Sequence, residues 1–294
     1  MVEFTSIASD SALCELVSRW ESSGVIWIAM DFEGEFNLHV YGEHLCLIQI
    51  YDKLRYYIID PFTISQAQLR RLLEHPRITK IMFDCASDAA LVRKQYGIQL
   101  AKVHDVRITA QLLGYHGNLD SLREHCTGEV SQKGKKRNQM ANWMARPLPR
   151  TLIEYALADV EYLFIIRETL DAEAKALGLS ERDAIAQKTA ALQKHPDRPG
   201  YEKLPGYRYF SKHEKIFVKH LFESREVLAK RYNLPSFRIL DKKQIVEIAK
   251  QPVCDEQQLK RFVKHPNRKI EQELFRLMCD AIDNAKEEIL KGDL

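Results

Sequence analysis

Apolar and polar positions along this chain follow two rhythms. Through the first two thirds, short unbroken apolar runs are interleaved with stretches in which apolar residues recur every three or four positions. The most apolar run is Val25–Met30, six residues leading directly into Asp31 and Glu33. A run of that length reads as a strand buried on both faces. Side chains alternate across a strand, so Asp31 and Glu33, two apart, point to the same side. The runs Leu45–Tyr51 and Arg55–Ile59, joined by Asp52-Lys53 and closed by Asp60-Pro61, predict a hairpin. Lys80–Phe83 predicts a fourth strand, and Val103 opens another short element.

Helical spacing lies between these runs. Leu13, Leu16, Val17 and Trp20 predict a helix over 9–22, ended by Ser22-Ser23-Gly24. Ser65-x-x-Gln68 has the form of a capping box opening a helix to Glu74. Further helices are expected over Ala89–Tyr96, Ile108–Leu113, Leu119–Cys126, Thr151–Leu170 and 171–195. Strands come first, then strand and helix alternate, so the expected class is α/β with a mixed sheet. After Glu33 a polar loop is expected. The rhythm changes at 195–209, which holds three prolines and two glycines. Beyond it the pattern is helical throughout, with helices expected over 211–231, 241–250, 255–264 and 269–290. The expected organisation is a domain over 1–195, a linker over 196–210 and a small all-α domain over 211–294.

Composition narrows the function classes. The chain is 45% hydrophobic and 29% charged over 294 residues, the profile of a globular protein. No segment approaches the ~18 uninterrupted apolar residues of a membrane span, and the first residues lack the pattern of a signal peptide. Six scattered cysteines without a Cys-x-x-Cys pair point to reduced thiols and a cytoplasmic location, not to a zinc ribbon or disulfide scaffold. No obligate protein partner is evident. Net charge is only +3, but it is uneven. Ser131–Arg150 holds six basic residues (Lys133, Lys135, Lys136, Arg137, Arg146, Arg150) and no acidic one. Residues 201–294 hold 20 basic and 15 acidic residues, with the densest patch at Lys260, Arg261, Lys264, Arg268 and Lys269. The plain alternative for each is a solvated surface. The sharper reading is attraction of a phosphate backbone. Trp143, in the same segment as the first cluster, is expected to be packed.

The candidate chemistry lies in carboxylates. Asp31 and Glu33 sit on the core strand, Asp88 at the start of the helix after the fourth strand, and Asp159 beside the apolar stripe Ala156, Val160 and Leu163. Tyr155 stands one turn before Asp159 on the same face. If these four converge, they can hold two hard cations, Mg²⁺ or Mn²⁺, about 3.5–4 Å apart, an arrangement suited to cleaving a phosphodiester. Asp84, at the strand end itself, competes with Asp88 for the third position.

Three stretches, Asp31-Phe-Glu33, Lys80-Ile-Met-Phe-Asp-Cys-Ala-Ser-Asp88 and Tyr155-Ala-Leu-Ala-Asp159, stand in the order of the three exonuclease motifs of the DEDD superfamily and resemble them. Tyr155 marks the tyrosine subclass; five before Asp159, where the histidine subclass has His, stands Glu154. Leu45-Cys-Leu-Ile-Gln49 and Gln139-Met-Ala-Asn-Trp143-Met-Ala-Arg146-Pro147-Leu148 are similar to the flanks in the ribonuclease D family. The stretches Ala229–Pro235, Ile239–Asp241 and Ile245–Ala249 resemble the helicase-and-RNase-D C-terminal (HRDC) module, with the match fading beyond Pro252. The resemblance implies a ribonuclease H-like 3′-5′ exonuclease domain followed by one HRDC-like, nucleic-acid-binding domain. It implies Asp31, Glu33, Asp88 and Asp159 as metal ligands and Tyr155 as the group that orients the attacking water. It also implies RNA with a free 3′ end as substrate, probed through basic residues 133–137, Arg146 and 260–269, in trimming of tRNA or other stable RNA precursors. The alternatives are a 3′-5′ DNA exonuclease of the same superfamily or an inactive nucleic-acid-binding scaffold.

Overall fold

In a computed structural model the chain is described over residues 2–129, 138, 140–192, 198–251 and 256–292. It divides into two compact units: Met1–Phe36 with Glu43–Lys194, and Asn37–Gly42 with His195–Leu294. The basic residues Lys133, Lys135, Lys136 and Arg137 lie outside the described residues.

The first unit is built on a six-stranded mixed sheet. Its strands are β1 (Phe4–Ile7), β2 (Trp27–Phe36), β3 (Glu43–Tyr51), β4 (Tyr56–Ile59), β5 (Thr79–Met82) and β6 (Val103–Asp105), in the order β1-β4-β3-β2-β5-β6. β3 runs antiparallel to β2 and β4, while β1 with β4, β2 with β5 and β5 with β6 are parallel. The helices are α1 (Asp10–Ser23), α2 (Gln66–Leu73), α3 (Ala86–Tyr96), α4 (Val106–Leu112), α5 (Leu119–Thr127), α6 (Arg150–Glu161), α7 (Leu163–Ala176) and α8 (Ser180–Leu192).

Strand alternation sorts β2 and β3 onto two faces. Ile28, Met30, Phe32, Ile48 and Ile50 pack with Leu13, Leu16 and Trp20 of α1, Leu69 and Leu72 of α2 and Leu91 of α3. Burying each such side chain contributes about 1.5–3 kcal/mol. On the other face Ala29 and Ile81 pack with Val106, Leu122, Leu163 and Phe164, and Cys46 and Leu47 pack with Trp143, Ala156 and Leu157. Asp31 follows the alternation onto this second face.

Several expectations are corrected. β2 does not end at Glu33. A bulge at Glu33/Gly34 keeps it paired to β3 as far as Phe36, so the two carboxylates ride on the face of a strand rather than at its end. A Cβ on Gly34 would stand 2.8 Å from the Phe36 ring and 3.1 Å from Leu91, which favours glycine at the bulge. The expected Thr151–Leu170 helix is two helices, interrupted at Tyr162. The chain changes cluster earlier, within α6, where Ala156 and Leu157 pack with Trp143 while Val160 packs with Leu163 and Phe164. β1 was not expected, and only its pairing with β4 makes it a strand.

The second unit is helical: α9 (Lys212–Tyr232), α10 (Ser236–Ile239), α11 (Lys242–Lys250), α12 (Glu256–Phe262) and α13 (Arg268–Gly292). Its core includes Val218, Leu221, Leu228, Ile245, Ile248, Leu274 and Met278. Leu204 and Phe210 join that core, so the described part of the expected linker is packed structure. The segment Asn37–Gly42 is grouped with this unit: Asn37 Nδ2 donates to Ser236 Oγ at 3.1 Å, and Tyr41 N–H donates to Asn233 Oδ1 at 3.3 Å. Among the described residues no helix is long and apolar enough to cross a membrane.

Candidate active site

Asp31 lies opposite Gln49 in the β2–β3 register. Gln49 is fully buried and its amide donates to Asp31 Oδ2 at 3.0 Å. An amide in the middle of an apolar strand is costly unless it has work to do, and here it orients the carboxylate. In the sequence Gln49 stands only as part of a flank, and this role comes from the pairing of β3 with β2. The available signal was the lone amide in Leu45-Cys-Leu-Ile-Gln-Ile-Tyr51.

Glu33 shares the face with Asp31, and α6 delivers Asp159. That helix buries Ala156, Leu157 and Val160, and this packing sets Tyr155 and Asp159 along its flank. One carboxylate oxygen from each of Asp31, Glu33 and Asp159 lies within 4.8 Å of the other two. Asp31, Tyr155 and Asp159 line a cleft of about 210 Å³ together with Phe83, Asn118, Leu119, Asp120 and Leu163. Asn118 and Asp120 were not picked out from the sequence. Asn118 is the N-cap of α5, accepting from the Ser121 N–H at 2.9 Å; nothing local says that this cap borders a cleft.

Asp88 is in the first turn of α3. It is outside the three-carboxylate group, yet close enough for its charge to act on Asp31 and Glu33. The rival, Asp84, is half exposed and its carboxylate is paired with Arg107. The turn carrying both is held by Asp105, whose carboxylate accepts from the N–H groups of Asp84 at 2.9 Å and Cys85 at 3.0 Å.

The electrostatics of the cluster are unfavourable as they stand. Burial, then the charges of Asp88 and Asp159, holds the Asp31 carboxyl well above the usual carboxylate range, against the Phe32 N–H and the Gln49 amide. Burial first, then Asp31, Asp159 and Asp88, pushes Glu33 up to about 10. Burial, then Asp84 and Asp105, pushes Asp88 up to about 7. Like charges at such spacing must hold protons or a cation. The donors are all carboxylate oxygens, without thiol or imidazole, and that set suits a hard divalent ion.

Not every expected residue reaches this region. Arg146 spends its guanidinium elsewhere: Nε and Nη2 pair with Asp60 at 2.7 and 3.0 Å, while Nη1 and Nη2 donate to the carbonyls of Trp143, Ala145 and Cys46 at 2.7–2.8 Å. Those are the contacts of a pin that holds the segment entering α6, and they leave no donor for a phosphate. Arg146→Ala is expected to destabilise the chain by about 2–4 kcal/mol, since it strands several half-buried acceptors. Urea unfolding checks this, and a loss below ~0.5 kcal/mol contradicts it. Lys260, Arg261, Lys264, Arg268 and Lys269 are exposed on α12, α13 and the segment between them in the second unit.

Comparison with known proteins agrees with this geometry. A sequence model of the 3′-5′ exonuclease family matches residues 4–175. Ribonuclease D of Shewanella sp. (strain ANA-3) is 31% identical over 176 residues, 59% of this chain and 44% of that protein. Ribonuclease D of Xanthomonas oryzae pv. oryzae is 27% identical over 278 residues, 92% of this chain and 74% of that protein. The fold is similar to that of Escherichia coli ribonuclease D, with a TM-score of 0.75 at 22% identity, covering 97% of this chain and 76% of that one. The chain thus spans less than half the length of the Shewanella relative and about three quarters of the Xanthomonas one. With a mixed sheet carrying the carboxylates, a tyrosine and aspartate on the crossing helix, and a family match over residues 4–175, the chain belongs to the 3′-5′ exonuclease family and resembles its ribonuclease D members.

Proposed function

We propose that this chain is a metal-dependent 3′-5′ exoribonuclease that removes nucleotides singly from RNA with a free 3′ end and releases nucleoside 5′-monophosphates. One observation carries the reading: oxygens of Asp31, Glu33 and Asp159 come within 4.8 Å of one another beside a cleft shared with Tyr155. Asp31, Glu33, Asp159 and Asp88 would hold two divalent ions, Mg²⁺ or Mn²⁺. When bound, such ions supply a water of lowered pKa and neutralise charge at the phosphorus. The chain's own groups do the positioning. Gln49 fixes the Asp31 carboxylate. The Tyr155 phenol orients the attacking water by hydrogen bonding to it. Phe83, Leu119 and Leu163 offer apolar walls to a terminal nucleotide. The resemblance to ribonuclease D favours RNA over DNA, with tRNA or other stable precursors as the substrate class. The free thiols of Cys14, Cys46, Cys85, Cys126 and Cys279 suit the cytoplasm.

The second unit is assigned the HRDC-like role of holding RNA through Lys260, Arg261, Lys264, Arg268 and Lys269. Lys264→Glu with Arg268→Glu is expected to weaken RNA binding about tenfold at moderate salt and to flatten the log–log salt dependence by about 1–2. An unchanged slope removes the patch from the interface. The activity itself is tested by product analysis. RNA ending in a 3′-hydroxyl should yield 5′-monophosphates, and a circular RNA of the same sequence should yield nothing. Cleavage of the circle would mean an endonuclease and overturn the reading.

A further inference from the structure

At the edge of the sheet, three side chains converge that the nuclease reading leaves unused. His104 comes from edge strand β6, Asp171 from α7 and Asp183 from the first turn of α8, and one donor atom from each lies within 4.8 Å of the other two. His104 Nε2 is buried and has no hydrogen-bond partner. It stands 3.7 Å from Asp171 Oδ1, too far for a hydrogen bond. Two ligands each about 2.1 Å from a shared tetrahedral ion stand about 3.4 Å apart, close to that separation. An orphaned imidazole nitrogen facing two carboxylates is what such a site looks like before its ion arrives.

The surroundings support the donors. The His104 side chain is 14% exposed and Asp183 is 9% exposed. Thr109 Oγ1 donates to Asp183 Oδ1 at 2.8 Å, the outer hydrogen bond that fixes a ligating carboxylate. Gln187 of α8 ties into the same region, its amide donating to Asp105 O at 3.0 Å and to Thr109 Oγ1 at 3.2 Å. Trp27 meets the His104 ring edge-on at 5.9 Å and so restricts its plane. Arg167 is the local competitor. Its Nε lies 3.8 Å from Asp171 Oδ2 and its guanidinium covers the Trp27 ring at 4.4 Å, leaving Oδ1 turned to His104.

We infer that His104, Asp171 and Asp183 form a divalent-metal site separate from the nuclease carboxylates. One imidazole and two carboxylates favour a borderline ion, Zn²⁺, over Mg²⁺. Its role is structural: it ties α7 and α8 to β6, and α7 directly follows the helix that carries Tyr155 and Asp159.

The test uses the full chain with Asp31→Asn and Asp159→Asn, so that the nuclease cluster does not compete. The metal-free protein is titrated with Zn²⁺ by calorimetry and with Co²⁺ by visible absorption, and melting is followed with and without Zn²⁺. The inference expects one equivalent bound, a Co²⁺ spectrum of low coordination number, and a higher Tm with Zn²⁺. His104→Gln and Asp171→Asn should each weaken binding at least tenfold and remove the Tm shift. The Asp171 side chain is 45% exposed, so that variant decides the matter if His104→Gln fails to fold. No bound equivalent in the parent, or unchanged affinity in Asp171→Asn, overturns the site.

Discussion

Asp159→Asn is expected to cut turnover of single-stranded RNA by at least about a thousandfold, while RNA affinity in chelator stays within a few fold. A thousandfold corresponds to about 4 kcal/mol of lost transition-state stabilisation. The substitution keeps the shape of the side chain and removes one of three anionic donors that converge in the cleft. It touches none of the exposed basic residues to which phosphate binding is assigned, so affinity should hold. Removing a negative charge from a crowded acidic cluster also gives the folded chain no reason to weaken. The check is single-turnover cleavage beside filter binding. Turnover within tenfold of the parent would take Asp159 out of the site; a large loss of binding with normal chemistry would make it a substrate contact.

Glu33→Gln is expected to abolish turnover and yet stabilise the metal-free protein at pH 7 by on the order of 2–3 kcal/mol. The sign follows from the direction of the shift. Glu33 moves from an ordinary 4.5 to about 10 on folding, so the native state holds a proton that the unfolded state has released. Its contribution is fully present below 4.5 and is lost progressively as pH rises towards 10. Asp31, raised well above its usual range, and Asp88, raised to about 7, act in the same direction over the lower part of that window. Lys80 opposes them above neutrality: it is fully buried and its pKa falls to about 7, so it restores stability between 7 and its ordinary 10.5. The clean comparison is therefore parent minus Glu33→Gln between pH 4.5 and 7. The gap should be near zero at pH 4.5 and widen steadily with pH. Saturating Mg²⁺ should stabilise the parent and close or reverse the gap, because a ligand that binds only the native state adds its binding energy to stability. A gap independent of pH would mean that folding does not raise the Glu33 pKa.

Much of this was legible in the residue pattern, and the exceptions have physical causes. β3 and β5 announce themselves as apolar runs, and α1 and α13 as helical spacing. β1 is four residues long with only Ile7 fully buried; its parallel partner β4 supplies what its sequence lacks. The polar stretch after Glu33 reads as a loop, but β3 absorbs a one-residue register shift there, with Cys46 as its extra residue, and pairing continues to Phe36. The break at Tyr162 has neither proline nor glycine to mark it. In the site, Asp31 and Glu33 are readable because strand alternation is strict. Asp159 needed its Tyr155 neighbour and the order of the motifs. Gln49, Asn118 and Asp120 depend on which element crosses which, and only Gln49 left a local trace, as a buried amide without an obvious partner.

The most direct measurement is a cleavage ladder. A 5′-labelled RNA oligonucleotide and its DNA counterpart are incubated with the protein in Mg²⁺, in Mn²⁺ and in chelator, beside Asp31→Ala. The account expects a stepwise shortening of RNA from the 3′ end with either metal, and no shortening in chelator or with the variant. A ladder on DNA alone would move the substrate class. Salt-dependent binding with no ladder on either strand would contradict the nuclease reading and leave an inactive scaffold.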